Sequence, residues 1–212
     1  MQLAFLPPAL VALLPMVLAA PLDSRSPITV TTAQLQSIAP NSASCKGSGQ
    51  YASECQTAAG AAGAISASFA TYGISTPGAA AAVIATMAFE SGEFEYAVHH
   101  FPTPNPGQGT RNMQSAKYNL QYAQSIPALA SELPAAQAKG PDAILSMLIQ
   151  YKDIDFGSAA WFMKTNCAPS VMSGLASGTT EAFGAWVTCY GGTLSSKLTT
   201  YFTNGVAALK SS

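Results

Sequence analysis

Apolar positions recur along this chain at intervals of three and four, and strict alternation is scarce. Ile65, Phe69 and Tyr72 form such a stripe within residues 50–73, closed by Gly73. Ser75-Thr76-Pro77 reads as a helix start, a hydroxyl cap followed by proline in the first turn. The helix it opens runs through Val83, Ile84, Met87 and Ala88 to about Ser91. Pro141-Asp142 opens another, with Ile144, Leu145, Leu148 and Ile149 on its apolar positions. Shorter helices are predicted over 31–39, 157–164, 168–176, 179–190 and 193–209. The pattern therefore predicts an all-α domain with one irregular insertion, the proline- and glycine-rich FPTPNPGQG from Phe101 to Gly109.

The ends of the chain narrow that domain. Met1 to Ala20 is apolar and uncharged, with Ala19 and Ala20 before Pro21, and reads as a secretory signal. Its three prolines, Pro7, Pro8 and Pro15, make a membrane-spanning helix the weaker reading. Residues 21–30 are expected to be a short propeptide or linker and 31–212 the folded domain, secreted, extracellular and monomeric. Nine basic residues stand against ten acidic ones, with no basic stripe, which excludes nucleic acid as the expected partner. In an oxidising compartment four cysteines allow three pairings, and closure of short loops favours Cys45 with Cys55 and Cys167 with Cys189. Zinc is the alternative for these cysteines, although no C-x-x-C is present.

Chemistry concentrates at the end of the Ala-rich helix. Glu90, Glu93 and Glu95 lie within six positions of a chain that has ten acidic residues in all. Glu90 falls in the helix's last turn, and Gly92 stands where a left-handed terminator belongs. The negative end of the helix dipole, apolar neighbours and two nearby carboxylates all oppose ionisation there. A glutamic acid that stays protonated near neutral pH is suited to general-acid chemistry. The competing reading is an ordinary solvated helix end.

Around this carboxyl, Glu90-Ser91-Gly92, then Phe94, Ala97 and, beyond a loop, Gly109 to Gln114, form a pattern. It resembles the E-S-G-aromatic…A…G-x-x-x-M-Q signature of soluble lytic transglycosylases and goose-type lysozymes, over roughly residues 77–125. By this resemblance, which extends in style to secreted fungal lysozyme-like proteins, Glu90 is the catalytic acid. Ser91, Gln108, Met113 and Gln114 line the substrate cleft, and Ser115 caps the helix that follows. The family's supporting tyrosine has a loose counterpart in Tyr190 of Cys189-Tyr190-Gly191-Gly192. The implied activity is a muramidase cleaving the β-1,4 bonds of peptidoglycan, with a polysaccharide as partner and no cofactor. A non-catalytic effector or wall-binding protein on the same fold, and chitin or chitosan cleavage, are the alternatives, and hydrolysis and transglycosylation both remain open.

A second carboxylate is open too. Asp153 and Asp155 end the apolar helix after Pro141 and can face the cleft from its other side; the alternative is an ordinary turn. Glu93 is nearer in sequence and stands as the acid if the helix is rotated. Arg111 is either a substrate-positioning fork or a salt-bridge partner of the acidic cluster. Glu95 and His99, four apart, can share a metal with a third ligand, but no such third residue is evident and no metal is expected. A Ser-His-Asp hydrolase lacks a G-x-S-x-G elbow. Trp161 and Trp186 are expected in the core, outside the site.

Overall fold

The computed structural model describes residues 26–46 and 49–210. The expected signal, residues 1–20, and the first half of the linker, 21–25, lie outside the described residues. The part of the linker that is described belongs to the packed body: the Ile28 amide donates to Ile74 O, and Val30 is buried with its amide on Ser66 Oγ.

At the centre stands α3, Pro77–Glu90, buried on every side from Gly78 to Ala88. A helix apolar all round can only be a core helix, which is why its Ala, Val, Ile and Met run shows no polar stripe. Thr76 caps it, its Oγ1 accepting from the Ala79 amide, and Pro77 occupies the first turn. Around it pack α1 (Thr32–Ile38, closed at its start by a Thr31/Gln34 capping box), α8 (Ser158–Asn166) and α11 (Ser196–Lys210), while α2 (Ala58–Tyr72, ended by left-handed Gly73) packs on α1 and α8. α4 (Ala116–Gln124), α5 (Leu133–Lys139), α6 (Pro141–Ile149) and the short α7 (Lys152–Asp155) form a second group. α9 (Pro169–Gly174) and α10 (Thr180–Cys189) pack on each other and, respectively, on α8 and α11. Short 3₁₀ turns join several of these, and among the described residues the only β pairing is two isolated bridges, Val98 with Gly109 and Gly109 with Gln114. The protein is all-α, as its periodicity predicts.

Three local differences from the sequence reading have physical causes. α2 starts at Ala58, not near residue 50, because Thr57 caps it and the preceding segment is tied down by the Cys45–Cys55 disulfide and by the Gln56 amide on Phe94 O. α5 lacks a side-chain cap, and Pro134 in its first turn is the start signal it carries. Ser115 stands at the N-cap of α4 with extended backbone, but its side chain makes no capping hydrogen bond. The second disulfide, Cys167–Cys189, joins the ends of α8 and α10.

Small residues set the helix spacing. A Cβ on Gly78 would collide with the backbone carbonyl oxygen of Leu175, which cannot swing away, and one on Gly205 of α11 would lie 2.9 Å from Ala81 Cβ. Gly78→Ala is therefore expected to destabilise the fold by about 1–3 kcal/mol through overpacking, read as a lowered urea midpoint. An unchanged midpoint would mean that the 174–178 segment yields freely.

Candidate active site

Glu90 ends α3, and the chain turns sharply after it. The Ser91 amide and hydroxyl both donate to Met87 O, the hydroxyl at 2.6 Å, while Ser91 Oγ accepts from the Phe94 amide. Gly92, Glu93 and Phe94 then follow in left-handed conformation, with φ of 62°, 60° and 74°. Gly92 is the expected terminator; the two non-glycine residues after it are costly in this region and are held by burial. Ser91, expected to line a cleft, is fully buried and builds this turn instead.

The turn sends the neighbouring carboxylates in different directions. Glu93 is 7% exposed and accepts from the Asn41 amide at 2.6 Å, Asn41 Nδ2 at 2.9 Å and the Tyr201 hydroxyl at 2.8 Å. It ties the first 3₁₀ turn and α11 to the end of α3, away from Glu90, because three left-handed residues break the helical spacing that would have stacked the two. Asp155 is 2% exposed and accepts from Arg111 Nε at 2.7 Å. Burial pushes its carboxyl up to about 6, outweighing the attraction of Arg111. Arg111, itself 2% exposed, also donates to Phe94 O, Tyr96 O and Glu54 O, and its guanidinium lies over the Phe156 ring. It is a buried clamp between loops, and the hollow it lines with Glu54, Lys152 and Asp155 is separate from the one Glu90 lines. Asp153 is exposed, beside a separate hollow lined by Tyr72, Tyr122 and Ile126. Glu93, Asp153, Asp155 and Arg111 thus stand apart from Glu90, so the expected second carboxylate and the guanidinium fork do not assemble with it.

What does assemble around Glu90 is a groove of about 300 Å³. Two helices supply one side through pairs four residues apart: Thr86 and Glu90 on α3, Trp186 and Tyr190 on α10. Trp186 Nε1 donates to Thr86 Oγ1 at 2.8 Å and locks the pairs together. The Gly191-Gly192 turn wraps against the Tyr190 ring, so closely that a Cβ on Gly192 would enter it. Tyr118, Phe162, Trp186 and Tyr190 form a continuous run of edge-on rings with neighbouring centroids 4.8, 6.2 and 5.1 Å apart. The loop after the proline-rich insertion supplies the other side with Gln108, Asn112, Met113, Gln114 and Ser115. Gln108, Met113, Gln114 and Tyr190 are therefore brought together with Glu90. Trp186, expected to lie outside the site, is fully buried and yet forms part of the groove lining. Thr86, Asn112, Tyr118 and Phe162 were missed from sequence; the matching four-residue spacings at the ends of α3 and α10 are the signal that could have paired Thr86 and Trp186 with their neighbours.

Glu90 is the one residue of the groove lining with a carboxyl, and no Lys, Arg or His lines it. Burial alone raises its carboxyl from 4.5 to about 7. The two carboxylates expected to add to this are elsewhere. Burial, with the Glu90 charge as the next cause, pushes the Tyr190 phenol up to about 12, while the neighbouring Thr86 hydroxyl acts the other way. A carboxyl half protonated near neutral pH can give a proton and take it back within one cycle.

Over 112 residues, half of this chain, the sequence is 46% identical to a bifunctional dioxygenase–epoxy alcohol synthase of Fusarium oxysporum, and the matched stretch covers 9% of that protein. No family model and no solved structure matches the chain. The relative overturns the expected membership of the goose-type lysozyme and lytic transglycosylase group, and with it the expected muramidase activity on peptidoglycan and its wall-binding and chitin-cleaving alternatives. Short motifs such as E-S-G and Met-Gln are few enough in letters to recur without descent, whereas 46% identity over 112 positions is not; the chain is similar to part of a fungal enzyme of another kind.

Proposed function

We propose that this chain is an enzyme, or part of one, whose groove performs general acid–base chemistry on an uncharged, oxygen-bearing substrate, with Glu90 as the proton donor. The observation that carries this is a single carboxyl, raised to about 7 by burial, in a groove otherwise lined by amides, hydroxyls and aromatic rings. A neutral lining favours a neutral ligand, since a charged one would lose its hydration without gaining a counter-charge. The aromatic run gives the ligand's carbon skeleton an apolar face, and the Glu90 carboxyl supplies the proton to its oxygen. An epoxy alcohol, the compound in the relative's name, combines an ether-like oxygen and a hydroxyl and belongs to this class.

The dioxygenase half of that name is a different matter. Among the described residues no three of His, Cys, Asp and Glu gather as a metal-ligand set. All four cysteines are in disulfides, and His100 is bound to Glu54 at 2.7 Å. The described residues do not fit a metal centre.

A diazo ester tests the proton donor. The acid proton is transferred to the diazo carbon, dinitrogen leaves, and the carboxylate oxygen forms the new C–O bond, so only protonated carboxyls react. At pH 6.5 ordinary exposed carboxyls are ionised, and peptide mapping is expected to find the ester on Glu90, falling off through pH 7 and absent in Glu90→Gln. Labelling spread evenly over the surface carboxyls, with Glu90 unmodified, would overturn the proposal.

A further inference from the structure

The amides of the groove's loop side form a chain with a fixed direction. Asn119 is fully buried and does not reach the groove; its Nδ2 donates to two backbone carbonyls, Gly107 O at 2.7 Å and Gln114 O at 3.2 Å. A carbonyl oxygen only accepts, so the Asn119 amide has one permitted orientation, with Oδ1 turned toward Gln114. Gln114 must then present its nitrogen, and Nε2 donates to Asn119 Oδ1 at 2.8 Å. That turns Gln114 Oε1 toward Asn112, whose Nδ2 donates to it at 3.3 Å. Asn112 Oδ1 lies on the far side and accepts from Thr110 Oγ1 at 2.9 Å and Ser158 Oγ at 2.8 Å. Two backbone carbonyls outside the groove thereby set the polarity of three side chains in series.

The remaining hydrogen-bonding capacity follows by counting. The Asn112 oxygen faces two hydroxyls, of Thr110 and Ser158, whose single hydrogens are shared with the backbone carbonyls of Gly109 and Asp155, and one Asn112 Nδ2 hydrogen remains unused. Gln114 has one Nε2 hydrogen left. Gln108 is held in the same sense, with Nε2 on Met113 O and Oε1 taken by Asn105 Nδ2, and also keeps one N–H. The polar loop side therefore offers spare donors, and a protonated Glu90 offers another from the helix side.

We propose that this relay makes the groove select ligands through acceptor oxygens, and that Asn119, which touches no ligand, is the positioning residue that sets this selectivity. The proposal names the ligand chemistry of the acid–base site and in that respect rests on the reading above: carbonyl, ether or epoxide oxygens held by the Asn112 and Gln114 amides, with no demand for a ligand N–H.

Side-chain amide resonances of Asn112 and Gln114 read this directly. At pH 5.5, dimethyl sulfoxide, which only accepts, is expected to shift them saturably, while methylammonium, which only donates, leaves them in place. Asn112→Asp, which removes the spare donor at unchanged size, is expected to weaken dimethyl sulfoxide binding at least tenfold. In Asn119→Ser the amides of Gln114 and Asn112 are free to turn, and the preference for dimethyl sulfoxide over methylammonium is expected to fall by a similar factor; a purely structural role would alter the melting temperature and leave that preference intact. Should Asn119→Ser fail to fold, wild type and Asn112→Asp decide alone. Saturable methylammonium shifts in wild type, or undiminished dimethyl sulfoxide binding in Asn112→Asp, would overturn the proposal. A Glu90 carboxyl titrating at its ordinary value, with the amide selectivity intact, would instead sink only the acid–base reading.

Discussion

Arg111→Met is expected to lower the unfolding free energy by about 3–5 kcal/mol, the usual cost of breaking a buried ion pair from one side. Asp155 and Arg111 are each 2% exposed, so removing the guanidinium leaves a carboxylate with neither water nor counter-charge. Three backbone carbonyls, of Glu54, Phe94 and Tyr96, lose their donor in the same step. The loss should grow with pH. Arg111 is one of the causes that lower the Asp155 carboxyl; without it that carboxyl rises further above about 6, and a raised carboxyl stabilises the fold at low pH and loses that contribution as pH climbs through its folded value. Urea titrations at pH 4.5 and pH 8 check both parts. A second substitution, Asp155→Leu, should recover a fraction only, because the three carbonyls stay unpaired. An Arg111→Met protein as stable as wild type at pH 8 would show that the clamp contributes little.

Glu90→Gln carries the other large effect, and its sign reverses the usual expectation for a site substitution. The carboxyl titrates at about 7 in the fold against 4.5 as its ordinary value. Below 4.5 both folded and unfolded chains hold the proton, and the group adds no pH dependence. Between 4.5 and about 7 the unfolded chain releases the proton and the folded chain retains it, so stability falls as pH rises. Above about 7 both are ionised and the loss is complete, at most about 3 kcal/mol for a shift of this size. Glutamine has nothing to release. The difference in unfolding free energy, variant minus wild type, should therefore increase in the variant's favour by up to that amount between pH 4 and pH 8, while the proton-donating capacity disappears. Asp155 shifts in the same direction in both proteins and cancels in the difference. A difference independent of pH would mean that Glu90 ionises as it does in water, and the acid–base reading would go with it.

That stabilisation on removal is the expected signature of a group kept in place by something other than fold stability. Glu90 is raised by burial, and buried Trp186 and the half-buried Tyr190 line the same groove.

Local chemistry was legible in the chain. Thr31, Thr57, Thr76 and Thr179 each accept an amide hydrogen at a helix start, and Thr76 before Pro77 announces α3 without help from the rest of the molecule. The all-apolar run after it can only be buried, which puts Glu90, at its end, where the core meets the surface. The two short-loop disulfides follow from spacing alone. These features depend on residues within a turn or two of one another, or on loop-closure entropy, and sequence carries both.

The identity of the groove's partners was decided elsewhere. Glu93 and Asp155 look in sequence like companions of Glu90; the three left-handed residues 92–94 and the reach of Arg111 across four segments send them to structural posts. Trp186 and Tyr190 lie a hundred residues from Thr86 and Glu90 and meet them only because α10 packs at the end of α3. Periodicity records which face of each helix is buried, and it is silent on which helices share that burial. Sequence by itself therefore determined an all-α fold with a carboxyl at the end of its core helix. Desolvation to about 7 and the selection of one carboxyl from four candidates came from tertiary packing, because both depend on what the folded chain places around a side chain and on how much water it leaves there.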